Sequence, residues 1–382
     1  MAFLTGGSPT VVAFTIVVFL VVLTVLVFVH ELGHYLVARR NGVRVDVFSI
    51  GFGPEVFGWN DRAGTRWKFS AVPLGGYVKM FGDADPMSTP GERLVAMTEA
   101  ERAVSFHHKR LGQRAAVVAA GPIANFVFAL VVLAGLFATV GQPYTPADVG
   151  RVQPGSAAEQ AGIKAGDVIA SIDSQRIDRF EDVQRIVRLN TGAARAMVLH
   201  RDGSDVTIDV TPRITNFTDR FGNEHKIGLL GIERSGTNYI QRNPASAIWY
   251  AAQDTLDLTT GTLQAVWQMI IGLRPADEIG GPLRIAQMSG EVAQGGIVPL
   301  LYFMAMLSVN LGLINLFPIP VLDGGHLLFY AAEAIRGRPL GQRAQEYGFR
   351  LGLALVLTLM VFATWNDLVH LRIVEFIKGL IT

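Results

Sequence analysis

The sequence predicts a polytopic α-helical membrane protein of four spans, with a membrane-associated β-hairpin region and an extracytoplasmic α/β domain. Three observations predict it. Apolar residues make up 50% of the chain and charged residues only 17%, a balance that suits several spans joined to sizeable soluble parts. Four separate stretches stay apolar for the length a bilayer core demands. Between the second and third, short alternating segments broken by Gly and Pro mark a folded unit of strands and short helices.

The first span covers about Val11 to Val37, and residues 11–29 carry no charge. It is longer than the apolar core of a signal peptide, has no Lys or Arg before it, and no small-residue cleavage pattern follows, so it is expected to be retained. The second covers about Ala115 to Val140, interrupted at Gly121-Pro122. The third runs from about Val298 to Phe317 and stops at Pro318. The fourth covers about Leu351 to Trp365. Arg39, Arg40 and Arg44 follow the first span, Lys109, Arg110 and Arg114 precede the second, and Arg336, Arg338, Arg343 and Arg350 lie between the third and fourth. The positive-inside rule puts all three clusters in the cytoplasm, and residues 141 to about 296 outside. The expected organisation is therefore a first transmembrane helix (1–40), a cytoplasmic membrane-associated β region and loop (41–112), a second span (113–140), an external domain (141–213), an external linker with an amphipathic helix (214–297), a third span (298–334), and a cytoplasmic loop with the fourth span and C-terminus (335–382).

Within 41–112, Thr65 to Met80 reads as strand, Gly-Gly turn, strand, and Gly51-Phe52-Gly53-Pro54 as a turn at the same membrane face. The plain reading is ordinary hairpin chemistry. The functional one is an open strand edge near Lys68 to Val72 that receives an extended chain, with Phe69 and Ala71 as substrate contacts. Asp83 to Ala103 reads as a mobile polar loop, and His107-His108 as a juxtamembrane surface pair. Residues 145–213 alternate strands and short helices around turns at Pro154-Gly155, Gly166-Asp167 and Asp202-Gly203. Asn243-Pro244 reads as a helix cap. Ile248, Leu256, Leu263, Val266, Trp267 and Ile270 then recur at helical spacing on an amphipathic helix reaching to about Leu273, expected on the outer membrane surface.

The chemistry sits at the end of the first apolar run. His30-Glu31-Leu32-Gly33-His34 is an H-E-x-x-H pattern. Histidines four apart share one helix face and can grip one metal ion, and the Glu between them is placed to take a proton from a metal-bound water. Ionisable groups inside a bilayer are costly and mark function by default. The plain alternative is a pair of helix histidines hydrogen-bonded to neighbouring spans. Zinc needs three protein ligands and keeps a fourth position for water. The chain has no cysteine, which excludes thiolate ligands and disulfides, and its net charge of +1 gives no reason to invoke nucleic acid.

The third span leads through Asn310, Asn315, Pro318 and Pro320 to Asp323-Gly324-Gly325-His326. Both helices run from outside to inside, so Asp323 reaches the depth of His34 and is the expected third ligand. A helix-terminal Asp-Gly turn is its bland reading. His326 ranks second, since an Asp completes a hard, water-activating site and His326 can orient it. Pro318 and Pro320 remove backbone donors and open the helix. That leaves carbonyls and the amides of Asn310 and Asn315 to hold an extended peptide. Gly121 to Asn125 distort the second span, and Asn125 reads equally as a packing residue or as one hydrogen-bonded near the metal.

HELGH in a first span, GFGP and PLGGYVKM in the next loop, GPIANF in a second span, an external unit containing PGSAAEQAGIKAGDVIASID, and NLGLINLFPIPVLDGGH in a third span together resemble the site-2 protease family. The closest likeness is to the RseP-type intramembrane zinc metalloproteases of bacteria, and it covers almost the whole chain. It implies Zn2+ on His30, His34 and Asp323, Glu31 as general base, and Asn315 with Asn310 on the substrate backbone. It implies a multi-pass protein of the bacterial inner membrane with the active site toward the cytoplasm. The substrates implied are single-span membrane proteins cut within the bilayer, such as anti-sigma factors already trimmed by a site-1 protease, and leftover signal peptides. The external unit resembles a bacterial PDZ domain, present once where the best-known members carry two. It is read first as a size filter, because the stretch before Val149 lacks an obvious glycine-rich carboxylate loop, with capture of a newly exposed C-terminus in a PDZ groove as the alternative. Two rivals remain: a PDZ-bearing scaffold whose structural metal is closed by a fourth ligand, and a metal transporter, which would need a chain of acidic or His residues across the spans.

Overall fold

A computed structural model of the chain describes residues 9–83, 97–177, 179–188, 192–218, 224–236, 238–272 and 280–370. Its helices are α1 (Pro9–Arg40), α2 (Glu99–Val104), α3 (Leu111–Thr139), α4 (Ala157–Gln160), α5 (Phe180–Arg188), α6 (Pro244–Ile270), α7 (Pro282–Gln294), α8 (Ile297–Leu316), α9 (Asp323–Arg336) and α10 (Gln342–His370). Its strands are β1 (Val45–Asn60), β2 (Arg66–Met80), β3 (Gln142–Tyr144), β4 (Val149–Val152), β5 (Val168–Ile172), β6 (Gln175–Arg176), β7 (Arg195–Arg201), β8 (Ser204–Val210), β9 (Arg213–Thr218), β10 (Glu224–Leu229), β11 (Ile232–Arg234) and β12 (Asn238–Ile240). Contacts divide the chain into two units, Met1–Ala134 with Ile248–Thr382, and Gly135–Ala247.

In the first unit α1, α3, α8 and residues Arg343–Val369 of α10 are long and apolar enough to cross a membrane. The α1 helix, at about 1.5 Å per residue, is longer than the ~30 Å hydrocarbon core. Its upper half packs Val22 and Leu26 on Met304 of α8. Its lower half joins a second cluster of Ala38, Phe48, Val78 and Val117. The second span is one continuous helix through Pro122, not the interrupted one the sequence suggested. The stretch before the third span, expected to be linker, contains α7, which starts with Pro282 after an extended Gly281.

The β region holds the main correction. Strands β1 and β2 each bend, so each passes its partner twice. Ile50 lies opposite both Gly76 and Phe69, and Phe69 lies opposite both Ile50 and Phe57. Four segments are therefore side by side in the order 76–80, 45–50, 66–70, 55–60. At the bend Gly51 takes φ +90°, and a Cβ there would meet the Val72 carbonyl oxygen at 2.7 Å, so only glycine fits. Phe69 is thus paired on both sides, and Ala71 lies between Ser70 and Val72, which face Glu55 and Phe52. The expected open edge is thus interior at Lys68 and Phe69, whereas Ser70 and Val72 are each paired on one side. Edge positions are 76–80 and 55–60, and among the described residues no strand pairs with the outer side of 76–80.

Asp61 ties this sheet to α1. Its carboxylate accepts from Tyr35 Oη at 2.8 Å, Trp67 Nε1 at 3.0 Å and the amides of Ala63 and Thr65 at 2.8 and 2.9 Å. Burial raises its pKa, but these four donors outweigh that and hold the group at about 2. Asp83, expected in a mobile loop, is buried, accepts from Met80 N at 2.9 Å and pairs with His107 Nε2 at 2.9 Å. His107 is therefore a partly buried anchor and not a surface residue. The rest of that loop, 84–96, lies outside the described residues, and 99–104 is a helix closed by a Thr98–Glu101 capping box.

The second unit has a four-stranded sheet in the order β6-β5-β7-β8. Inward residues alternate along β7, a register irregularity between Ile169 and Ser171 offsets β5, and Ile169, Ile172, Met197 and Leu199 form its core with Val149, Ala158 and Leu230. The unit does not stop at 213. Strand β11 pairs with β4 and β12 with β3, so residues 232–240, expected in a linker, complete it.

Candidate active site and metal centre

The α1 helix puts His30, Glu31 and His34 on adjoining positions of one face, one turn apart. The two Nε2 atoms are 3.2 Å apart. Asp323, the first residue of α9, brings Oδ2 to 3.1 Å from His30 Nε2 and Oδ1 to 3.5 Å from His34 Nε2. Ligands about 2.1 Å from a tetrahedral zinc stand roughly 3.4 Å from one another, and these separations bracket that value. Asp323 Oδ2 is buried without a hydrogen-bond donor, an arrangement a cation completes. Two imidazoles and one carboxylate, with no fourth protein donor among the described residues, are the set that leaves a position for water. His326 lines the same cavity, but its ring lies against Phe349 at 5.2 Å. Among the described residues the cluster of donors is His30, His34 and Asp323. Among the described residues the rival structural site has no fourth ligand.

Local chemistry explains why these groups meet. His34 Nδ1 donates to the Val117 carbonyl at 2.9 Å, which turns Nε2 toward the cluster. His30 Nδ1 faces the Asn125 amide at 3.1 Å. Both contacts come from α3, and Gly121 lets them form: a Cβ there would lie 2.2 Å from His34 Nε2 and 2.9 Å from His30 Cε1. On the opposite side Gly324 fits where a Cβ would meet the carbonyl oxygens of Leu316 and Phe317 at 2.3 and 2.2 Å. The start of α9 can thus tuck under the end of α8 and deliver Asp323. Val321, two residues earlier, has φ +99°, a strained conformation for a β-branched residue.

A cavity of about 500 Å3 opens at the cluster. Glu31, Asn315, His326 and Val321 line it, as do Gly76, Tyr77 and Val78 of the free sheet edge. A Cβ on Gly76 would come within 3.1 Å of Glu31 Cγ, so that edge runs directly beside the glutamate. Asn315 is at the cavity, its Nδ2 donating to Leu311 O at 3.0 Å. Asn310 is not: its Oδ1 accepts from Thr262 Oγ1 of α6 at 3.0 Å, so it fastens α6 to α8. Pro318 and Pro320 do not line the cavity. Pro320 packs on α10, where Gly352 leaves room for it. The sequence reading missed the 76–78 edge and the Val117 carbonyl. The Gly75-Gly76 pair signalled the first; a backbone carbonyl leaves no sequence signal.

Known proteins resemble the chain along its length. The profile for "Peptidase family M50" matches residues 18–359. The Rhizobium meliloti (strain 1021) protein named "Putative zinc metalloprotease R01501" is 49% identical over 363 residues, which are 93% of this chain and 96% of its own. "Metalloprotease MmpA" of Caulobacter vibrioides is 39% identical over 387 residues, 95% of this chain and 97% of its own. The PDZ domain of an SdrC-like protein from Listeria monocytogenes matches 24% of this chain and 88% of its own at 18% identity, with a TM-score of 0.19; that score adds nothing to what the second unit's own strands show.

Proposed function

The chain belongs to peptidase family M50 and is a zinc metalloprotease, and from that premise we propose that it cuts peptide bonds within the transmembrane segments of single-span membrane proteins. Anti-sigma-factor-like proteins trimmed beforehand by a site-1 protease, and remnant signal peptides, are the substrates proposed. The observation that carries this reading is the placement of the cluster: two donors and Glu31 belong to a helix apolar enough to cross a membrane, and the third follows another such helix directly.

His30, His34 and Asp323 are the proposed ligands. Zinc, when bound, acidifies a water and polarises the scissile carbonyl. Glu31 takes a proton from the water whose oxygen adds to the scissile carbonyl carbon, and returns it to the amine as the C–N bond breaks. A helical substrate hides its carbonyls and must unwind first. The 76–78 edge offers backbone hydrogen bonds to the extended form, in place of Phe69, with Ala71 further along the sheet, and Asn315 supplies an amide beside it. Asn310, Pro318 and Pro320 act on the site only through the packing of α6, α8 and α10. The proposed setting is the bacterial inner membrane, with the cluster toward the cytoplasm and the 135–247 unit, read as a PDZ domain, outside as a size filter. Basic residues at 39–44, 109–114 and 336–350 support that orientation.

Glu31→Gln tests the reading. The variant is expected to keep zinc, measured by mass spectrometry of the purified protein, and to lose cleavage of a model single-span substrate. Normal turnover by this variant would rule the mechanism out. A comparison of membrane proteomes with and without Glu31 would then name the substrates.

A further inference from the structure

We infer that Asn125 is a positioning residue for the metal centre, its side-chain oxygen holding His30 in the one tautomer whose Nε2 can bind zinc. The inference rests on the proposed ligand set. Its ground is an asymmetry between the two histidines. His34 Nδ1 meets a backbone carbonyl, Val117 O, at 2.9 Å. A carbonyl only accepts, so His34 carries its proton on Nδ1 and presents a lone pair on Nε2. That ring is fixed by a group that cannot change its role.

His30 has no such fixed partner. Its Nδ1 faces the Asn125 side chain at 3.1 Å, through the amide nitrogen. With a nitrogen donor there, the ring proton must sit on Nε2, pointing at His34 Nε2 3.2 Å away. Ligation through Nε2 demands the opposite tautomer, with the proton on Nδ1 and an acceptor to receive it. Asn125 contains that acceptor. Its Oδ1 is buried without a hydrogen-bond partner, and the residue is 0% exposed, so no bulk water takes its place. The amide's nitrogen and oxygen have nearly the same shape, and a half-turn of the side chain exchanges them. The half-turn gives the orphaned oxygen the Nδ1–H and gives the ring a metal-facing lone pair. Ser308 Oγ donates to the Asn125 backbone carbonyl at 2.9 Å, so this stretch of α3 is pinned to α8 and the amide turns about a fixed backbone.

Three full-length variants in detergent test it, with zinc affinity read by competition against a chromophoric chelator. Asn125→Asp keeps an acceptor at the same place and is expected to hold zinc at least as tightly as the parent. Asn125→Leu keeps the volume without the acceptor and is expected to weaken zinc about 10- to 100-fold, the usual range for a lost ligand-orienting partner. Unchanged affinity in Asn125→Leu, or equal losses in Leu and Asp variants, overturns the inference. If Asn125→Leu does not fold, 15N-histidine spectra of the zinc-loaded parent decide. A protonated Nδ1 on His30 supports the assignment and a protonated Nε2 overturns it. His30→Ala separates the two levels: zinc affinity unaffected by that change sinks the ligand set itself, whatever Asn125 does.

Discussion

Two proline sites flank the donor cluster, and they do opposite things. Pro122 sits inside α3, and the helix runs on without a break. Pro318 and Pro320 follow the end of α8 at Leu316, and no helix resumes until Asp323. One proline removes one N–H and leaves one carbonyl unserved, which a helix held by its neighbours tolerates. Two prolines at alternate positions remove two donors and drive the residues before them into extended backbone; Phe317, with ψ 142°, shows it. The outcome is a division of labour. The α3 helix is a rigid wall that orients the histidines through Val117 and Asn125. The 317–322 segment is a turn that brings the carboxylate round to meet them.

The largest effects are expected where the two sides touch the donors. Asp323→Ala removes the proposed ligand that the turn delivers, and zinc affinity is expected to fall by more than about 100-fold, whereas His326→Ala, packed on Phe349, changes it less than about tenfold. If the two results are reversed, the turn delivers the wrong residue. On the wall, Gly121→Val puts a side chain where His34 Nε2 already lies. Zinc and cleavage should be lost together while the helical circular dichroism persists; a zinc-loaded, active Gly121→Val would mean that the wall is not where the rings rest.

Smaller effects separate the two prolines. Pro122→Ala restores a helix donor in a continuous helix and is expected to stabilise the protein by about 1–3 kcal/mol with cleavage intact. A destabilised variant would show that α3 packs through the proline's distortion. Val321→Gly relieves a positive φ in the turn but adds backbone freedom to the unfolded chain, so the net gain is expected to stay below about 1 kcal/mol. A loss of more than about 1 kcal/mol in chemical denaturation would show that the Val321 side chain, and not its backbone strain, matters at the cavity.

The spans and the three donors were legible because each rests on a pattern confined to one stretch: apolar length, a four-residue histidine spacing, an Asp after paired prolines. Basic residues near the span ends, read from sequence alone, give Asp323 and His34 the same expected depth. What was not legible depends on pairing at a distance. Phe69 looked like an edge because a single hairpin has two, and only the bend at Gly51 brings 55–60 to cover it. Asn310 and Asn315 are alike in sequence, yet one faces Thr262 and the other the cavity. Residues 232–240 looked like linker because their partners lie some 90 residues earlier at β3 and β4.

One further contact bears on how the chain is made. Asp367, on α10 and 2% exposed, accepts from the backbone amides of Gly281 and Arg284 at 2.8 and 3.0 Å, closing the start of α7 in the way an N-cap side chain normally does from the preceding residue. The cap is supplied from more than eighty residues downstream. A ribosome building the chain from its N-terminus therefore makes α7 well before the residue that caps it. Asp323 reaches His30 and His34 only late in synthesis as well. A nascent chain halted between these points would hold His30, Glu31 and His34 without Asp323, so the order of translation itself delays completion of the proposed metal site until most of the structure around it exists.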